Sequence, residues 1–80
     1  MASFPLDKLN FGQQAVIKQL KPESRAFRHR LLAMGILPGC KILLLRSAPF
    51  GDPIEVCAQG FYLSLRRHEA ASIIVTEVSE

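Results

Sequence analysis

Apolar positions recur along the chain in two rhythms, one helical and one alternating, and together they divide it into elements. Phe27, Leu31 and Met34 fall at i, i+4 and i+7, a single apolar stripe with Arg25, Arg28 and His29 largely off it. Pro22 suits a first helical turn, Glu23 favours the positive N-terminus, and Gly35 supplies the left-handed residue that ends a helix. A helix is therefore predicted over about residues 23–34. Ile54, Val56 and Ala58 alternate with Glu55, Cys57 and Gln59, and Phe61, Leu63 and Leu65 alternate with Tyr62, Ser64 and Arg66. Two half-buried strands joined through Gln59-Gly60 make a hairpin.

The other segments give weaker but consistent signals. Gln14–Leu20 is rich in β-branched residues and reads as a first strand. Cys40–Arg46 is an apolar run bracketed by the Pro38-Gly39 turn and Pro49, as in a strand buried on both faces. Ser47–Pro53, with two prolines and a glycine, is a loop, and Ile73–Val78 forms a last strand. Leu6 and Leu9, three apart, suit a short N-terminal turn that lays two side chains on the core, and residues 67–71 read as one polar helical turn. The fold expected is mainly β: a small SH3-like barrel of five antiparallel strands, partly closed, with one α-helix inserted after the first strand. Residues 1–80 are read as a single domain.

With 49% hydrophobic and 21% charged residues, the chain has the composition of a folded domain. Two cysteines cannot build the cystine framework of a small secreted module. The longest unbroken apolar stretch, Ile42–Leu45, is far short of the roughly 20 residues that span a bilayer, so no membrane insertion is expected. The N-terminus has no basic start followed by an apolar run, and a cytoplasmic setting is expected. Charge changes the picture more. Residues 1–46 hold eight Lys/Arg against two Asp/Glu, and residues 47–80 hold two against five. Such asymmetry fits an acidic partner surface, nucleic acid or anionic headgroups; the bland alternative is a solvated basic face.

Catalytic constellations are not in evidence. Neither Cys40 nor Cys57 has a helix N-terminus or a flanking histidine to activate it, Asp52, Glu55 and Glu69 show no paired spacing, and no phosphate loop is present. The chain reads as a non-enzyme. The possible metal ligands, His29, His68, Cys40, Cys57, Asp52, Glu55 and Glu69, lack the paired spacing of a structural zinc site. His68-Glu69 offers one or two ligands to a weak Fe(II) or Zn(II) site; the alternative is a solvated turn in which Glu69 meets Arg66 or Arg67. Phe50, in a Pro/Gly loop, is expected to tuck beneath the loop rather than face a partner, whereas Tyr62 falls on the polar side of its strand. Tyr62 and Phe50 alone make a poor stacking platform, so nucleic acid is not an expected partner and a basic nucleic-acid-binding barrel stays an alternative.

Three segments carry a family likeness: Met34-Gly35-Ile36-Leu37-Pro38-Gly39, Ala48-Pro49-Phe50-Gly51-Asp52-Pro53-Ile54 and Leu63-Ser64-Leu65-Arg66-Arg67-His68-Glu69-Ala70. In order and spacing they resemble the ferrous iron transport protein A family (FeoA), from Leu6 to Val78. The resemblance implies an SH3-like barrel with an inserted helix, similar also to the C-terminal barrel of metal-dependent repressors such as the diphtheria toxin repressor. It implies a cytosolic accessory protein of bacterial ferrous iron uptake. Its partner is then the membrane ferrous iron transporter with a cytosolic GTP-binding domain (FeoB), whose assembly or GTPase cycle it adjusts. The same likeness suggests transition-metal binding around His68 and Glu69, and a soluble Fe(II) carrier or sensor is the competing expectation. For docking, the residues favour the basic helix face (Arg25, Arg28, Arg30) and the loop of Pro49, Phe50, Gly51, Asp52 and Pro53. The prolines and glycine hold that loop in shape before any partner arrives.

Overall fold

The helical stripe folds close to where its spacing puts it. In the computed structural model, which describes residues 2–22 and 24–78, the helix α1 runs Arg25–Ala33 and buries Phe27 and Leu31. It starts two residues later than expected. The Ser24 side chain accepts a hydrogen bond from the Phe27 N–H at 3.2 Å, so serine is the N-cap and Pro22 lies in the approach; Glu23 is outside the described residues. The C-terminal signal holds in full. Gly35 takes φ +74°, its N–H donates to Leu32 O at 3.0 Å, and the Ile36 N–H donates to Leu31 O at 2.9 Å. This is a Schellman close, and buried Ile36 and Leu31 provide the apolar contact that accompanies it. A Cβ on Gly35 meets nothing nearer than Gln59 Nε2 at 3.8 Å, so the position is constrained by its backbone and not by space. Gly35→Ala is expected to cost about 1 kcal/mol. That corresponds to a melting temperature about 4–8 °C lower in a domain of this size, and an unchanged melt would remove the left-handed cap from the account.

The strands are β1 (Phe4–Pro5), β2 (Gln14–Leu20), β3 (Lys41–Ser47), β4 (Ile54–Ala58), β5 (Phe61–Leu65) and β6 (Ile73–Glu77), with a second, short helix α2 at Arg67–Ala70. They form one antiparallel sheet in the order β1-β6-β2-β3-β4-β5. Five of these strands fall where the sequence places them, the alternation being the signal for β4 and β5. The sixth, β1, pairs Phe4 with Val75 and Pro5 with Ile74, and two residues are too few to carry a period. A 3-10 turn at Leu6–Lys8 follows and places Leu6 and Leu9 in the core. The β4–β5 turn is as predicted: Gln59 and Gly60 both have positive φ, the two-residue geometry whose twist matches paired strands.

One strand is corrected. The run expected to be buried on both faces is buried on one. Ile42 and Leu44 face the core, Leu43 is half-buried and Leu45 is exposed. The register of β3 against β4 shifts between Leu44 and Arg46, so Leu45 sits in a bulge with no partner across the ladder. Only the inner face of the sheet, with Ala15, Ile17, Ile42, Leu44, Val56 and Val75, meets α1 and the leucines of the first turn in a single core.

Candidate functional site

The α2 turn joins the two surfaces singled out in the sequence. Glu69 accepts a hydrogen bond from the Arg66 backbone N–H at 2.9 Å, capping the turn, and its carboxylate lies 3.8 Å from the Arg30 guanidinium of α1. That guanidinium also stacks over the Phe27 ring, 5.3 Å from its centroid. Arg30 is therefore tied to the fold by two contacts. Arg25 and Arg28 are exposed on α1, and among the described residues neither joins an ion pair.

On its other side α2 holds the loop. Arg67 donates through Nε to Gly51 O at 2.6 Å and through Nη1 to Asp7 O at 3.4 Å, while its backbone N–H donates to Asp52 Oδ1 at 2.8 Å. Arg66 adds a looser ion pair to Asp52 at 3.9 Å. The loop closes on itself too: the Ala48 N–H donates to Pro53 O at 2.9 Å and the Gly51 N–H to Ala48 O at 2.9 Å. A Cβ on Gly51 stands 3.2 Å from Arg67 Nη2, so the guanidinium occupies the space against the loop.

This corrects the expectation for Phe50. The ring is not tucked under the loop; the side chain is fully exposed, with a relative accessibility of 105%. Arg67 already fills the space against the loop, and Phe50 itself adopts φ +74°, a left-handed conformation that costs a side chain of this size about 1–2 kcal/mol. Tyr62 is exposed, as expected.

His68 and Glu69 line a groove of about 420 Å³ together with Lys21, Ser24, Phe27, Ala71 and Ser72. As metal donors they fit poorly. Glu69 is spent on the cap of α2 and on Arg30, and among the described residues no group of three or more His, Cys, Asp or Glu gathers in one place. Cys40 donates its thiol to Gly35 O at 3.3 Å, and Cys57 lies in β4. The groove is an open cleft of mixed lining beside the basic helix rather than a built ion site.

The structure thus links Arg30, Glu69, Arg67, Arg66, Asp52 and Gly51 in one chain of contacts running from α1 to the loop. Arg67, read in the sequence only as a candidate partner of Glu69, instead clamps the loop, a role the sequence does not disclose. Its partners Gly51 and Asp7 lie sixteen and sixty positions away, and no local pattern encodes them.

Known proteins share this fold. A family model for the FeoA domain matches residues 4–77. An Fe(2+) transport protein A/Fe(2+) transporter FeoB fusion protein of Porphyromonas gingivalis is 38% identical over 74 residues, which make up 92% of this chain and 9% of that protein. The chain therefore corresponds to a small part of that relative. The solution structure of a FeoA protein from Chlorobium tepidum superposes with a TM-score of 0.88 at 38% identity, covering 95% of this chain and 71% of that one. Stenotrophomonas maltophilia FeoA, a prokaryotic SH3 domain protein crystallised with zinc, shares the fold with a TM-score of 0.78 at 24% identity, over 90% of this chain and 88% of that one. The SH3-like architecture expected from the strand count is thereby met. The matched span opens on β1 at Phe4 and closes on the last residue of β6, Glu77, so it takes in both surfaces and the turn between them: the chain belongs to the FeoA domain family.

Proposed function

We propose that this protein is a cytosolic accessory factor of ferrous iron uptake that docks on the membrane Fe(2+) transporter and adjusts its assembly or GTPase cycle. The observation that carries the reading is the Porphyromonas gingivalis relative, in which the segment matching this chain is joined to the transporter in one polypeptide. A domain fused to a second protein in one organism is commonly its partner when the two are separate. The surface supports the reading. Arg25 and Arg28 present positive charge from α1, the pinned loop stands at the other end of α2, and among the described residues no helix is long and apolar enough to cross a membrane.

The test is binding of the purified protein to the detergent-solubilised transporter, with and without GTP. Saturable, nucleotide-sensitive binding is expected, and no binding in any nucleotide state would sink the reading. Arg25→Glu/Arg28→Glu is expected to weaken binding about tenfold, more at low salt than at high, with an unchanged melting temperature. Equal affinity would move the docking surface away from α1. Arg30 is left in place because a glutamate there faces Glu69 and disturbs the fold as well as the surface.

A further inference from the structure

We infer that Phe50 is the anchor of the docking surface, a preformed apolar plug that enters an apolar pocket on the cytosolic part of the transporter. The inference rests on the reading of that transporter as the partner. Three observations carry it together. Phe50 is the most exposed large apolar side chain among the described residues, at 105% relative accessibility, and gains nothing from its own fold. Its backbone is held at φ +74°, where an L-residue with a bulky side chain is strained, and strain of this kind persists only where the surroundings impose it. Those surroundings are explicit: Pro49 and Pro53, the Ala48–Pro53 and Gly51–Ala48 hydrogen bonds, and the Arg67 clamp on Gly51.

A flexible loop displaying a phenylalanine collapses onto the nearest apolar surface. Here the Arg67 guanidinium stands against the loop and the turn keeps the ring in water, so few degrees of freedom remain to be frozen on binding. A rigid aromatic of this kind is what a partner pocket captures most productively. Tyr62, the next most exposed aromatic, carries a hydroxyl that water satisfies and lies on the sheet rather than on a projecting turn. Asp52, two residues along the loop from Phe50, is in a loose ion pair with Arg66, so the loop carries charge beside its apolar tip. An apolar centre with polar neighbours is the ordinary anatomy of an interface hot spot.

The experiment measures binding of the wild type, Phe50→Ser, Phe50→Gly and Phe50→Leu to the detergent-solubilised transporter in the nucleotide state that binds best, with a thermal melt of each variant. Ser and Gly are expected to weaken binding at least about tenfold, while Leu keeps most of the affinity. The Gly variant is expected to melt at the wild-type temperature or above it, because relief of the left-handed strain offsets the added freedom of its unfolded chain. A Gly variant that melts more than about 5 °C lower shows that the ring packs at home, and overturns the inference. Ser and Gly variants that bind like the wild type overturn it as well; if Arg25→Glu/Arg28→Glu then still weakens binding, the docking reading stands without this anchor. A wild type that binds in no nucleotide state brings down the reading and the anchor together. Sedimentation separates the remaining case: a dimeric wild type and a monomeric Phe50→Ser with equal transporter affinity assign the ring to a second copy of this chain and overturn the inference.

Discussion

Leu31→Ala is expected to remove about 3 kcal/mol of stability and to lower the melting temperature by about 12–24 °C. An 80-residue domain has only about 4–12 kcal/mol to lose, so this one change brings it near the edge of folding at growth temperature. The size of the effect follows from position. Leu31 is fully buried, it lies in the middle of the stripe with Phe27, and its carbonyl receives the Ile36 N–H that closes the Schellman turn. Truncation leaves a cavity beneath α1, in the core that Leu31 shares with the inner face of the sheet. Leu32→Ala is the control, since it makes the same chemical change in the same helix at a side chain that is 45% exposed. It is expected to cost less than about 1 kcal/mol. Both substitutions alter helix propensity equally, so the gap between them measures burial alone. Equal losses would mean that α1 is held by something other than its apolar stripe.

That helix was legible because its determinants are local. Spacing, cap and stop all sit within a dozen residues, and the only slip was at the start, where Ser24 outcompetes Pro22 because a side-chain acceptor for the Phe27 N–H is worth more than a preset φ. The β4–β5 hairpin was legible for the same reason. Leu43 and Leu45 were not. An apolar run does not reveal whether both faces of its strand are covered, and the bulge that turns Leu45 outward exists only against the register of β4. β1 escaped notice because its pairing with β6 joins residues some seventy positions apart and spans only two of them. The site divides likewise. Arg25 and Arg28 are where a helical wheel puts them, whereas the direction of Phe50 depends on which side chain occupies the space against the loop, and a distant arginine fills it.

The weight placed on Arg67 has a direct measure. Arg67→Ala is expected to cost about 2 kcal/mol, roughly 8–16 °C in melting temperature, because a charged donor leaves two carbonyls, those of Gly51 and Asp7, and the loop loses its support. Arg67→Lys should recover little: an ammonium cannot serve two acceptors set apart as these are with a planar fork. Solvent can re-bond the freed carbonyls, so a loss this large also implies loosening of the turn itself. A double-mutant cycle isolates that coupling. In the wild type, Gly51→Ala carries two penalties, the left-handed φ of +82° and a Cβ placed 3.2 Å from Arg67 Nη2. In the Arg67→Ala background only the first remains, about 1 kcal/mol. Gly51→Ala should therefore be measurably cheaper once Arg67 is gone. Equal costs in the two backgrounds would show that guanidinium and loop are neighbours without being coupled, and the rigidity that presents Phe50 would then have to reside in Pro49, Pro53 and the two backbone hydrogen bonds of the loop.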